Sequence, residues 1–133
     1  AVVRWAAEHG VPVTARGSGT GLSGACIPRP DGLLVDFRRM AKVLEIDTGN
    51  HVAVVQPGVT LQELDAATAE HGLAYTVFPG ESSASLGGNV ATNAGGMRAV
   101  RYGVTRHQVL GLTAVLGTGE VIETFPARTS IKK

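Results

Sequence analysis

The chain has 133 residues, about one ordinary domain. Glycine supplies 18 of them, nearly double the roughly 7% of average usage. No G-x-y period makes the chain collagen-like, and 44% hydrophobic against 17% charged residues excludes a disordered linker. A net charge of +1 and 5% aromatic residues exclude a general polyanion binder and poorly suit base stacking. One cysteine, Cys26, makes neither an internal disulfide nor a zinc site, and it fits a reducing, cytoplasmic setting. No apolar run approaches the roughly 18 residues of a membrane span. No basic-then-apolar signal opens the chain.

The first segment, Ala1 to His9, carries Val2, Val3 and Ala6 at helical spacing beside Trp5, and Gly10 is its stop signal. Neither end reads as complete, so a fragment of a longer protein is expected, open at both ends. Val11–Ala15 is a short apolar run and predicts a buried strand. Arg16 to Gly24, RGSGTGLSG, is a loop, and Leu33–Phe37 is a strand. Val43–Asp47 and Val52–Gln56 flank Thr48-Gly49-Asn50 and predict a hairpin, which Pro57-Gly58 ends. Thr60 to His71 is the clearest helix. Thr60 is its N-cap with Glu63 at the capping-box spacing, Leu61, Leu64 and Thr68 share one face, and Gly72 stops it. Leu73–Phe78 is extended, and Ser82–Gly96 is a Gly-, Ser-, Asn- and Ala-rich loop. Val109–Leu116 and Val121–Phe125 flank Gly117-Thr118-Gly119 as a second hairpin. Strands outnumber helices and pair locally, which predicts an α+β fold.

The placement of the glycines matters more than their number. Gly17, Gly19, Gly21, Gly24 and Gly80, Gly87, Gly88, Gly95, Gly96 put nine of the 18 into two stretches. No Asp or Glu lies between Glu8 and Asp31, or between Glu81 and Glu120. Arg16 and Arg29 stand in the first window, and Arg98, Arg101, Arg106 and His107 in the second. Glycine lets a backbone turn and lets other groups approach it closely, and successive N–H groups converge on anions without needing a charged side chain. Excluding carboxylates avoids like-charge repulsion. The pattern points to a bound di- or polyphosphate cofactor.

Known phosphate loops do not fit. No Lys follows a loop glycine as a P-loop demands. Gly19-Thr20-Gly21-Leu22-Ser23-Gly24 has the letters of a dinucleotide fingerprint, but Pro28 and Pro30 follow where the helix should begin. Kinase-loop companions are absent.

Three longer segments carry a more specific pattern. PVTARGSGTGLSGA (12–25) resembles the first pyrophosphate loop of the FAD-linked oxidase N-terminal, or PCMH-type FAD-binding, domain. QPGVTLQELD (56–65) resembles the strand-to-helix joint after it, and SLGGNVATNAGGMRAVRYGVTRHQVLGLTAVLGTGEV (85–121) the second cofactor loop and its hairpin. The glycolate oxidase D-subunit and D-lactate dehydrogenase branch is the most similar, with D-2-hydroxyglutarate dehydrogenase in the same circle.

The resemblance implies two small α+β subdomains, about 1–50 and 51–133, with FAD extended between them and a cap domain that this chain does not contain. It implies that the backbone of Arg16, Gly17, Ser18, Gly19, Thr20 and Gly21 wraps the pyrophosphate, with Ser18, Thr20 and Ser23 donating hydroxyls. Gly87, Gly88, Asn89, Ala91, Thr92 and Asn93 would line the other side. Pro79, Gly80 and Gly96 would permit close approach, and Val121 and Ile122 would offer backbone groups to the adenine end. Some relatives attach FAD covalently through a His in the first loop. Here that position is Thr20, so FAD held without a covalent bond at this point is expected.

The implied activity is a flavin-dependent oxidoreductase acting on the CH–OH group of a 2-hydroxy acid, with hydride passing to flavin N5. Its partners would be that small substrate, reached through the absent cap domain, and an electron acceptor or partner subunit. Neither nucleic acid nor a transmembrane segment is expected, and any membrane association would be peripheral, through partners. No residue reads as a catalytic base or metal ligand, so the chain alone is expected to be inactive. The alternatives are a non-catalytic flavin module docking on a partner, or an enolpyruvyl-sugar reductase of the same fold. Arg16 reads equally as a phosphate-loop anchor or a solvated arginine. Asn89 and Asn93 lie at the cofactor or cap a helix. Arg98, Arg101 and Arg106 steer an anion or form an ordinary basic face.

Overall fold

The computed structural model describes residues 1–124. Helix α1 spans Val2–Glu8 and buries Ala6 alone. His9 closes it, stacking on Trp5 with ring centroids 4.4 Å apart and its Nδ1 2.8 Å from the Trp5 carbonyl. Strand β1, Val13–Arg16, pairs in parallel with β2, Leu33–Asp36, in a register that sets Arg16 opposite Asp36. Parallel strands need a crossover connection. Residues 17–32 make it here without a helix, as Pro28 and Pro30 foretell. The strand expected at Val11–Ala15 is not buried. β1 alternates exposed and half-buried residues, and among the described residues its sheet has two strands.

β3 (Val43–Asp47) and β4 (Val52–Val55) form the expected antiparallel hairpin, with a register shift between Val43 and Glu45. Asp47 Oδ1 holds the turn by accepting the N–H groups of Gly49 and Asn50, each at 3.0 Å. Residue 50, near which the sequence reading divides the chain, lies in this turn.

Helix α2, Leu61–Ala69, starts as its sequence requires. Thr60 Oγ1 accepts the Glu63 N–H at 3.2 Å and Glu63 Oε2 accepts the Thr60 N–H at 2.8 Å. Its buried face is Leu61, Leu64 and Thr68. Val59, Leu61, Leu64, Ala84 and Leu86 form the core, with Val43, Ala53, Val55 and Tyr75 against it. Fully burying one such leucine stabilises the fold by about 1.5–3 kcal/mol.

The second glycine stretch is not a plain loop. Leu86–Thr92 is helix α3, despite two glycines in its first turn, a residue type that disfavours a helix interior by about 1 kcal/mol. Tertiary contacts override that preference. The Leu86 N–H donates to the Val59 carbonyl and the Gly87 N–H to the Pro57 carbonyl, both at 2.8 Å. Sequence periodicity also misses α4 (Ala99–Tyr102) and a 3-10 turn at Thr105–His107. β5 (Thr113–Val115) and β6 (Val121–Glu123) form the second expected hairpin, shorter than predicted, and Phe125 lies outside the described residues. Six strands in three two-stranded sheets with four helices make an α+β fold among the described residues. No described helix is long and apolar enough to cross a membrane.

Candidate functional site

The two glycine stretches meet in space. β1 delivers Gly17 and Ser18 to the start of α3, where the Ser18 N–H donates to Ser85 Oγ at 3.2 Å across 67 residues of sequence. Ser85 is 2% exposed. A Cβ on Gly17 would collide with that Oγ, so only glycine permits this approach. A Cβ on Gly87 would stand 2.6 Å from Pro57 Cβ and 2.9 Å from its carbonyl. Beside this seam lies a cleft of about 230 Å³ lined by Ala15, Gly17, Phe37, Pro57, Gly87, Gly88 and Ala91. Its lining holds no ionisable side chain.

Of the residues singled out from sequence, Gly17, Gly87, Gly88 and Ala91 line the cleft, and Ser18 joins its walls. Gly19, Thr20, Gly21 and Ser23 continue outward on an exposed strip. Their N–H groups donate to nothing among the described residues. Asn89 is 4% exposed and its Nδ2 has no partner among the described residues. At about 100° per residue, however, Asn89 lies on the side of α3 away from Gly87, Gly88 and Ala91.

The remaining residues are placed elsewhere. Thr92 Oγ1 donates to the Gly88 carbonyl at 2.9 Å. Asn93 takes a left-handed conformation at the end of α3, and its Oδ1 accepts the Arg106 N–H at 3.1 Å. Gly96 backs onto the Phe78–Pro79 backbone, and Gly80 is open. Val121 and Ile122 are paired with Val115 and Ala114 in the hairpin. Sequence reasoning missed Ala15, Phe37, Pro57 and Ser85. Ser85 stands directly before the apolar start of a helix, a cap signature that could have marked it.

Arg16 is half-buried, its Cδ lies beside Gly19, and its guanidinium pairs with Asp36. Its Nε and Nη2 lie 3.1 and 2.7 Å from Asp36 Oδ2. Asp36 also accepts from the Arg38 side chain and N–H. The Arg38 guanidinium first, then its N–H, then Arg16 hold the Asp36 carboxyl well below the usual carboxylate range. Arg98 lies over the Phe78 ring at 5.7 Å and Arg101 over Tyr102 at 5.1 Å, so both are engaged with aromatic faces. Burial pushes the Tyr75 hydroxyl up, against a smaller opposing hydrogen bond with Thr105. His107 Nδ1 accepts the Val104 N–H at 3.1 Å. No group of three His, Cys, Asp or Glu residues suited to a metal ion exists among the described residues.

A glycine-rich, uncharged lining and unpaired backbone donors beside it are chemically compatible with a diphosphate. The cleft is smaller than the roughly 300–1,000 Å³ of whole-ligand pockets. Comparison with known proteins agrees. An uncharacterized FAD-linked oxidoreductase of Mycobacterium tuberculosis is 70% identical over 123 residues, covering 92% of this chain and 27% of that protein. A D-lactate dehydrogenase of Archaeoglobus fulgidus is 46% identical over 122 residues, with the same two coverages. The crystal structure of 6-hydroxy-D-nicotine oxidase from Arthrobacter nicotinovorans superposes with a TM-score of 0.77 at 30% identity, over 92% of this chain and 26% of that one. The chain thus spans about a quarter of the length of the curated relatives it matches. Its residues 1–124 match the model of the FAD binding domain, and the chain belongs to that family.

Proposed function

We propose that this chain is the FAD-holding part of an oxidoreductase acting on a 2-hydroxy acid of the D-lactate, glycolate or D-2-hydroxyglutarate type. The observation that carries the proposal is the meeting of Gly17–Ser18 with Ser85–Gly88 at an uncharged cleft. The 46% identity to a D-lactate dehydrogenase supports the substrate class.

The N–H groups of Gly19, Thr20 and Gly21, which no described residue accepts, would bind the pyrophosphate, and Gly17, Gly87 and Gly88 would let it approach the backbone closely beside the apolar Phe37 and Pro57. Thr20 offers no imidazole for attachment, so the cofactor is held without a covalent bond at this position. When bound, FAD supplies an acceptor for the hydride leaving the hydroxyl-bearing carbon. The described residues orient the cofactor, and no ionisable group among the cleft-lining residues takes the substrate's hydroxyl proton. The substrate is reached through a further domain, and electrons leave to an acceptor or partner subunit.

Anaerobic addition of D-lactate, glycolate or D-2-hydroxyglutarate to the complete natural protein tests this. At least one should bleach the visible flavin band. A flavin-loaded protein that none of the three bleaches would overturn the substrate class.

A further inference from the structure

One carboxylate joins the two walls of the cleft from behind. β1 and β2 end side by side, Arg16 opposite Asp36. The residue after Arg16 is Gly17 and the residue after Asp36 is Phe37, and both line the cleft. Beyond the strand pairing, the Phe37 N–H donates to the Arg16 carbonyl at 2.8 Å. Asp36 adds a side-chain link. Its Oδ2 takes Arg16 Nε and Nη2 at 3.1 and 2.7 Å. Its Oδ1 takes the Arg38 N–H at 2.9 Å and Arg38 Nε at 3.0 Å. Arg38 Nη2 lies 2.8 Å from Oδ2. The turn so fixed also sets the Phe37 and Met40 carbonyls against Gly58, whose N–H donates to Met40 at 2.7 Å. That contact leads to Pro57, a third wall of the cleft.

We propose that Asp36 is a positioning residue: by gripping Arg16 and Arg38 together, it sets Gly17 and Phe37 at the spacing that FAD requires. Arg16 then acts as the strut through which Asp36 holds the first glycine loop, and it does not bind the phosphate itself. The arrangement suits that division of labour. A guanidinium forked onto a carboxylate is a directional, doubly bonded link. The carboxylate it occupies is the acidic group closest in sequence to the cleft-lining Phe37, so pairing also screens its charge from an incoming anion. The inference rests on the flavin reading for the identity of the ligand.

The test uses Asp36→Asn, Arg16→Gln, the double variant and Asp36→Glu in the complete natural protein. Apoprotein is titrated with FAD by flavin fluorescence, at a temperature where circular dichroism shows each variant folded. Asp36→Asn and Arg16→Gln should each weaken FAD binding about tenfold, and the double variant should be no weaker than either alone. Asp36→Glu should recover part of the loss. Additive losses in the double variant would show that Arg16 contacts FAD independently and would overturn the proposal. So would unchanged affinity in Asp36→Asn, even with a lowered melting temperature, and the flavin reading would then stand. Wild-type apoprotein that binds no FAD would overturn both.

Discussion

Gly17 is held tightly against the buried Ser85. Its α-carbon packs on Ser85 Oγ where a Cβ would collide. Gly17→Ala should therefore destabilise the protein by about 1–3 kcal/mol and weaken FAD binding, read by chemical denaturation and by flavin titration. Unchanged stability and affinity would show that the first loop does not press on α3. At Asp36 the prediction concerns pH. Its folded-state pKa is depressed, foremost by Arg38. Its contribution is therefore fully present above the unfolded carboxylate value of about 3.9 and is lost as pH falls toward the folded value. Urea unfolding followed downward from neutral pH should show a loss on the acid side that Asp36→Asn makes shallower. An identical slope in the variant would contradict the pairing.

At the scale of elements, α2 and α3 respond differently to their sequences. Thr60→Ala removes the acceptor of the Glu63 N–H and should cost about 1 kcal/mol, measured by urea unfolding. Gly87→Ala should also destabilise, although alanine favours helix over glycine by about 1 kcal/mol, because the new Cβ would meet Pro57. A stabilised Gly87→Ala would mean that α3 sits further from Pro57. The same contrast explains what could be read in advance. α2 carries its own instructions in Thr60, Glu63, Leu61, Leu64, Thr68 and Gly72, all local in sequence. Leu86–Thr92 carries none that outweigh Gly87 and Gly88. It is helical because carbonyls of Pro57 and Val59, nearly thirty residues earlier in sequence, receive its first N–H groups. The buried strand expected at Val11–Ala15 failed for the converse reason: an apolar run signals burial, but Val13 is exposed in a sheet of two strands among the described residues.

On the scale of the whole molecule, the glycine-rich, acid-free windows marked part of the cleft lining but not Phe37 and Pro57. Gly17, Gly87, Gly88 and Ala91 could be named because they stand inside those windows. Phe37 and Pro57 lie outside them and reach the cleft only through the β2 turn and the approach of α3. Residues 1–133 alone are expected to turn over neither D-lactate nor glycolate, because they span only about a quarter of the relatives named for those activities. Turnover by this chain alone would contradict that. FAD is expected to occupy the seam between the two glycine stretches without a covalent bond at Thr20. Acid precipitation of the purified complete protein, followed by a visible absorption spectrum of supernatant and pellet, tests it most directly. The protein should be yellow and its flavin should pass into the supernatant; a protein purified without flavin that also takes up none on addition of FAD, or flavin retained in the pellet on the peptide containing Thr20, would refute this.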